Sequence, residues 1–136
     1  MFKLSDIQKV IEAKGLKYYN QSVICATAVT SDAFFYNGIG DVLTYDKNHV
    51  IHFGDKGISI IVIDILTGSV IKDDERGYAF IPNEKVENIR VKFGLFKYKL
   101  YIDTAEGTIT YDVSRSLLMQ PWHAKNLSAI IYRAVH

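Results

Sequence analysis

The sequence predicts a single α+β domain over residues 1–136. We expect an antiparallel β-sandwich or open barrel of about seven strands, with a C-terminal capping helix and an extra N-terminal helix. Short segments of alternating apolar and polar residues follow one another over residues 22–113, with tight turns between them. Strands joined by short turns pair antiparallel, because a parallel pair needs a long crossover. Apolar side chains at helical spacing mark the two ends, residues 1–15 and 121–135.

The N-terminal helix is indicated by apolar side chains that recur at steps of three and four residues. Ser5 is expected to cap its first turn, with Gln8 three residues later completing a capping box. Gly15 readily takes a left-handed conformation, so the helix should end there. The apolar stripe consists of Leu4, Ile7, Val10 and Ile11.

Residues 49–53 and 58–65 form the clearest early hairpin, because Gly54 and Gly57 bracket the turn between them. The second segment is apolar at odd and even positions alike. A strand with two apolar faces is covered on both sides, so this strand should be central in the sheet. Further strands are predicted at residues 23–30, 40–45 and 78–81, the last of them ended by Pro82.

Three alternating segments follow, at residues 86–93, 96–102 and 108–113. Gly94 and Gly107 provide the turns between them. Each segment has one apolar face, which is typical of a strand that covers a core on one side. These segments therefore predict the second half of the sheet.

The closing helix is predicted to begin at Pro121, since proline suits the first helical position. Its apolar stripe should pack on the sheet, whereas Trp122 lies away from this stripe, at the helix edge. The residues of the stripe are Leu127, Ile130, Ile131 and Ala134.

The charge balance limits the classes of partner. Sixteen basic and fifteen acidic residues give a net charge of +1, so no global field attracts nucleic acid, and nucleic-acid binding is disfavoured. Charged residues interrupt residues 1–14, which lack the apolar core of a signal peptide, and this favours a cytoplasmic protein. The single cysteine, Cys25, has apolar neighbours and is expected to be a small buried hydrophobe rather than a reactive thiol.

Catalytic, cofactor and metal sites find no support in the sequence. His49 and His52 are three residues apart on a predicted strand, so their side chains point to opposite faces and cannot share one ion. The acidic run Asp73-Asp74-Glu75 lacks the spacing of an EF-hand loop and indicates a solvated turn. Phosphate-binding loops and nucleophile motifs are absent from the sequence. We therefore expect no catalytic residue, no cofactor and no metal.

The hairpin around Gly94 is the best functional lead. If its apolar faces pair, four basic side chains gather on the opposite, solvent-facing surface, where they form a candidate anion-binding or lipid-binding patch. The alternative is a solvated sheet face that discourages edge-to-edge aggregation. The four residues are Arg90, Lys92, Lys97 and Lys99.

Aromatic side chains supply a second set of candidate residues. Tyr18 and Tyr19 are adjacent in a predicted loop, and exposed tyrosines are good anchors of protein interfaces. They pack the first helix against the sheet in the alternative interpretation. Trp122, at the edge of the closing helix, is the third candidate interface residue.

Two segments show a family resemblance. Residues 41–53 have the sequence DVLTYDKNHVIHF, and residues 80–91 have the sequence FIPNEKVENIRV. The first resembles the leu-x-thr-asp-x-x-val-ile-phe hairpin, and the second the ile-pro-tyr-x-x-ile-x-x-ile strand, of the pleckstrin-homology (PH) superfold, in particular of its bacterial PH-like and GRAM-like relatives. The resemblance covers roughly residues 23–135. The extra N-terminal helix and the early position of Trp122 depart from the family pattern.

The resemblance implies a binding module rather than an enzyme. We expect a non-catalytic interaction module that engages a protein partner or a second copy of itself. The alternative is binding of anionic lipid or phosphoinositide through the basic hairpin. Lys92, Lys97 and Lys99 are spaced similarly to a basic pattern that some PH domains use for inositol phosphates, although those domains carry it in their first hairpin.

Overall fold

The computed structural model describes residues 2–29, 47–64, 68–70, 77–115 and 121–135, with side chains of the last helix at residues 122–132. Single 3₁₀ turns occur at Asn20–Ser22 and Asn83–Lys85. The helices and strands are α1 (Leu4–Ala13), β1 (Val23–Ala28), β2 (Asn48–Phe53), β3 (Gly57–Asp64), β4 (Ser69–Val70), β5 (Tyr78–Pro82), β6 (Val86–Lys92), β7 (Lys97–Thr104), β8 (Gly107–Ser114) and α2 (Pro121–Val135).

The fold is α+β, with an open antiparallel sheet between an N-terminal and a C-terminal helix. The strand order is β4-β3-β2-β1-β8-β7-β6, and β5 also pairs with β3. Strands β5 and β6 therefore lie at opposite ends of this order, although only Asn83–Lys85 separates them in the chain. Because so short a connection reaches at most about 14 Å, the sheet must curl until these two ends approach each other.

The inner face of the curled sheet holds the main core. Strand β3 shows how the two faces divide, because Ile60 packs in this inner core while Ile61 packs in a second cluster on the outer face. The structure thus confirms the prediction that both faces of β3 are covered. This strand pairs on both sides, with β2 and with β5, although it is second from one end of the strand order. From α2, Leu127 and Ile130 are buried in the inner core, as the apolar stripe of that helix predicted.

Helix α1 covers part of the outer face. Its Ile7 and Ile11 are fully buried there, against Val23 and Val50 of the sheet. The predicted cap was wrong, because the helix begins at Leu4 and the Asp6 carboxylate accepts a hydrogen bond of 2.8 Å from the Lys3 backbone N–H. A carboxylate is a stronger acceptor than a hydroxyl and is favoured near a helix N-terminus. Gly15 follows with φ 76°, which confirms the predicted left-handed stop.

Several strand ends differ from the predictions. Strand β1 ends at Ala28, and Pro82 lies inside β5 rather than after it. Pro82 is tolerated because β5 is at the edge of the sheet, where no neighbouring strand needs its missing N–H. The two-residue strand β4 was not predicted. The predicted strand at residues 40–45 and the acidic run at residues 73–75 lie outside the described residues.

Neither α1 nor α2 combines the length and the apolar character that a helix needs in order to cross a bilayer.

Candidate docking site

The turn between β6 and β7 lies past the end of the ladder that joins these two strands. The outermost described pair of this ladder is Lys92 with Lys99, so residues 93–96 extend past its end. A side chain at Gly94 would collide with the carbonyl oxygen of Lys97, so this turn requires glycine. The sequence prediction of a turn at Gly94 is confirmed.

Three large apolar side chains are exposed at this turn. Phe93, Leu95 and Phe96 are 59 %, 77 % and 82 % exposed, and we call these three residues the apolar tip. Phe93 makes one edge-on contact with the Tyr98 ring, at 5.3 Å between centroids. Tyr132 on α2 is the one other large apolar side chain with comparable exposure in the described part of the chain.

The four basic side chains share one face of the hairpin, as the sequence predicted. The register places Lys92 opposite Lys99 and Arg90 opposite Tyr101. Ile89, on the other face, packs against the inner core. The basic side chains therefore lie on the outer face of the curled sheet.

Arg90 is already engaged within the protein. Its guanidinium makes a bidentate pair with Asp103, through contacts of 2.6 Å and 2.9 Å, and lies 4.5 Å from the centroid of the Tyr101 ring. The bond from Arg90 holds the pKa of the Asp103 carboxyl at about 2, assisted by a hydrogen bond from Thr108. Two of the five N–H donors of Arg90 are thus used by Asp103, which also offsets its positive charge.

Lys97 and Lys99 share one carboxylate of the neighbouring strand. The Lys99 ammonium is 2.7 Å and the Lys97 ammonium 3.3 Å from the oxygens of Asp112. These lysines, Lys99 foremost, lower the pKa of the Asp112 carboxyl. Lys92 forms no ion pair with any residue that the structure describes. The four cations and the carboxylates of Asp103 and Asp112 leave a net charge of 4 − 2 = +2 on this face.

Arg115 is a further basic residue at this site that the sequence did not indicate. It follows β8, and the pairing of Lys97 with Ser114 brings it beside the apolar tip. Its Nη1 donates a 3.2 Å hydrogen bond to the Leu95 carbonyl oxygen, and its guanidinium lies 5.5 Å from the Tyr98 ring centroid. This contact could not be predicted from neighbouring residues in the sequence, because it depends on the register of β7 and β8.

The two candidate interface tyrosines stack on a histidine of their own chain. The His52 ring lies 5.5 Å from the Tyr18 ring and 6.2 Å from the Tyr19 ring, in both cases nearly parallel. The Tyr19 backbone N–H donates a 3.0 Å hydrogen bond to His52 Nε2. Burial lowers the pKa of His52 to about 4, against an opposing effect of Asp55. Tyr18 and Tyr19 are half-buried, and Tyr18 packs in the outer cluster that contains Ile7 and Ile11 of α1.

Trp122 is also half-buried, at the start of α2. Its ring meets the Phe2 ring edge-on, with 6.1 Å between the centroids. It packs in the outer cluster together with α1, away from the inner core that holds Leu127 and Ile130. The position of Trp122 off the helix stripe is thus confirmed, and its side chain connects the start of α2 to Phe2 near the N-terminus.

A cleft of about 790 Å³ opens between α1, the turn at Asn20–Ser22 and α2. Its described lining contains no carboxylate, histidine, cysteine, lysine or arginine. Tyr18, Tyr19 and Tyr132 supply its aromatic surface. The other lining residues are Leu4, Ser5, Gln8, Asn20, Gln21, Ser22 and Ala129.

The histidines serve separate structural contacts. His49 Nδ1 is 2.8 Å from the buried Tyr111 hydroxyl, whereas His52 contacts Tyr19 on the opposite face, as the strand spacing predicted. His123 lies between the Cys25 backbone N–H and the Ser114 carbonyl oxygen, to which its ring nitrogens are hydrogen-bonded. Among the residues that the structure describes, no three His, Cys, Asp or Glu side chains could together hold a metal ion.

Cys25 is half-buried rather than fully enclosed. Burial raises the pKa of its thiol to about 12, so the thiolate is scarce near neutral pH. Because the thiolate is the reactive form, this environment makes Cys25 a poor nucleophile.

A scan against protein-family models, a search of curated proteins and a search of solved structures found no match to this chain.

Proposed function

We propose that this protein is a non-catalytic interaction module that docks onto another surface through the apolar tip. The observation that carries the proposal is the exposure of Phe93, Leu95 and Phe96, each more than half accessible, at the end of one hairpin. Isolated exposed apolar residues are ordinary in folded proteins, but a contiguous group commonly marks an interaction site.

The apolar tip has little to do with the stability of the fold. Leu95 and Phe96 lie beyond the last described pair of β6 and β7 and leave most of their surface in water. A side chain gains hydrophobic free energy only from area that is removed from water. The apolar surface of these two residues is therefore available for a contact with another surface.

The described cleft supports binding rather than catalysis. General acid–base chemistry needs a titratable group placed near the substrate, with a pKa near the working pH. The described residues that line this cleft offer tyrosine hydroxyls alone as titratable groups, and burial raises the pKa of Tyr18 further from neutrality.

The connectivity supports a PH-like assignment as part of this proposal. Strands β1, β2, β3 and β5 form one antiparallel series, β6, β7 and β8 form a second, and α2 follows. About seven strands followed by a closing helix are the arrangement that the sequence resemblance implies. The extra helix α1 covers the outer face instead of the inner core.

The proposal is tested by comparing Leu95→Ser/Phe96→Ser with Leu100→Ser, which alters a buried residue of the same hairpin. We expect the tip variant to keep its free energy of unfolding within about 0.5 kcal/mol of the parent. Leu100→Ser should lose several kcal/mol, at least about 2. The tip variant should also bind a phenyl-substituted matrix more weakly than the parent does. Tyr132→Ser should bind this matrix as the parent does. If the tip variant lost as much stability as Leu100→Ser, the tip would belong to the core and the proposal would be wrong.

A protein partner, including a second copy of this chain, is a second candidate, and the uncharged cleft favours it. Tyrosines combine apolar area with a polar hydroxyl and are common anchors at protein interfaces. Sedimentation velocity over a range of concentrations tests the second-copy form of this proposal. We expect self-association that Tyr132→Ser weakens and Leu95→Ser/Phe96→Ser leaves unchanged. A parent that stays monomeric at all concentrations would contradict it.

A further inference from the structure

We infer that the surface onto which the apolar tip docks is an anionic lipid bilayer, with Phe93, Leu95 and Phe96 entering its interfacial region. This inference rests on the proposed docking function and names its partner. It follows from the shape of the tip, the charges around it and the ion pairs that the basic face already makes within the protein.

The tip is convex. Its three apolar side chains project from the end of a two-stranded hairpin, past the ladder that holds the strands together. A protein partner would have to offer a matching pocket, whereas the interfacial region of a bilayer deforms around whatever enters it. Aromatic and aliphatic side chains at the end of a structured element are suited to shallow insertion at the boundary between headgroups and acyl chains.

Basic residues surround this tip. Residues 92–99 and 112–115 contain Lys92, Lys97, Lys99 and Arg115 but only one carboxylate, Asp112, which leaves a local net charge of 4 − 1 = +3 in a chain whose total is +1. The hydrogen bond from Arg115 to Leu95 holds one of these cations directly against the tip. An excess of basic residues next to inserted apolar side chains complements the negative surface of an anionic membrane.

The ion pairs on the basic face indicate attraction to negative charge in general rather than recognition of one headgroup. Stereospecific binding of a phosphorylated headgroup needs free donors that converge on it. Arg90 is committed to Asp103, and Lys97 and Lys99 are committed to Asp112. We therefore infer that phosphatidylserine and phosphatidylglycerol bilayers bind similarly at equal charge density.

Co-sedimentation with vesicles tests the inference. The full chain is mixed with vesicles of phosphatidylcholine alone, or of phosphatidylcholine with phosphatidylserine or phosphatidylglycerol. The variants are Leu95→Ser/Phe96→Ser at the tip and Lys92→Glu/Lys97→Glu beside it. The matched control is Lys9→Glu/Lys125→Glu, which reverses two exposed charges on the helices.

We expect both kinds of anionic vesicle to bind the parent at least about tenfold more strongly than neutral vesicles, since each nearby basic residue strengthens binding severalfold. Added salt should weaken binding, because screening shortens the range of the attraction to about 8 Å at physiological ionic strength. The tip variant and the charge variant should each bind at least about tenfold more weakly than the parent, and the control should bind like the parent.

Absence of parent binding to either anionic vesicle, or equal binding of the parent and the tip variant, overturns the lipid inference. If vesicles do not bind while the tip variant still loses matrix retention without loss of stability, the docking function stands and a protein surface replaces the bilayer. If the tip variant is destabilised like Leu100→Ser, the docking function itself fails. Binding to phosphatidylserine vesicles but not to phosphatidylglycerol vesicles would show that the protein recognises one headgroup, contrary to this inference.

Discussion

Arg115 donates a hydrogen bond from its guanidinium to the main-chain oxygen of Leu95, 3.2 Å away, and thereby ties the end of β8 to the turn between β6 and β7. The two residues are far apart in the chain, and only the pairing of β7 with β8 brings them together. The contact gives the apolar tip a fixed anchor beside a positive charge.

Removal of this anchor should loosen the tip without unfolding the protein. For Arg115→Ala we expect lower NMR order parameters of the backbone amides at residues 95–96, with less than about 1 kcal/mol lost in the free energy of unfolding, because the contact is exposed. Arg115→Lys is the matched control that keeps the charge but loses the planar guanidinium. Unchanged order parameters in Arg115→Ala would contradict the anchoring role.

Asp112 limits the positive charge of the basic face. The substitution Asp112→Asn removes the carboxylate that both Lys97 and Lys99 contact. One unit of added positive charge near an anionic surface is worth about 1 kcal/mol, so binding to anionic vesicles should strengthen about fivefold. Co-sedimentation measures this change, with Asp6→Asn on α1 as a control that alters a carboxylate far from the hairpin in the sequence. Weaker or unchanged binding would argue against electrostatic attraction at this face.

The stability of the fold should fall as acid is added, through His52. Its pKa is about 4 in the folded protein and about 6.5 in an unfolded chain, so the neutral form is favoured by folding. This contribution is complete above about pH 6.5 and is lost as the pH falls towards 4, with a total of about 3 kcal/mol. The pKa of His123 is also lowered by burial, so it acts in the same direction.

Urea unfolding between about pH 7 and pH 4 measures this dependence. His52→Gln keeps an acceptor for the Tyr19 backbone N–H but cannot take up a proton, so its stability should depend less steeply on pH. An equal slope in the parent and in His52→Gln would show that His52 does not titrate on unfolding. Asp103 acts in a lower range, because its pKa is about 2 and its contribution is lost only below its ordinary pKa of about 4.

Ile130 should be essential to the attachment of α2. Its side chain is 4 % exposed in the inner core, so Ile130→Ala should cost about 2–5 kcal/mol, from lost burial and from the cavity left behind. Chemical unfolding gives the value, and Ser128→Ala on the exposed side of the same helix serves as the control. A loss below about 0.5 kcal/mol would mean that α2 does not seal the inner core.

The elements that the sequence predicted well are those whose signal is local. Strands β6, β7 and β8 alternate apolar and polar residues with a period of two, and this period alone fixes which side chains share a face. The common face of Arg90 and Lys92 followed from that period. The misplaced cap of α1 arose because Ser5 and Asp6 are adjacent and both suit the first turn, and the observed helix selects the carboxylate.

The sequence by itself determined that this protein is α+β, that its sheet is antiparallel, that helices flank it and that four basic residues of one hairpin share a face. Period and turn chemistry act between near neighbours, so one chain is enough to show them. Only the tertiary structure decided that Asp103 and Asp112 neutralise part of that face, that Arg115 meets Leu95 and that Tyr18 and Tyr19 stack on His52. Each of these contacts joins residues on different strands or loops, and the register and curl that bring them together arise from packing of the whole sheet around its core.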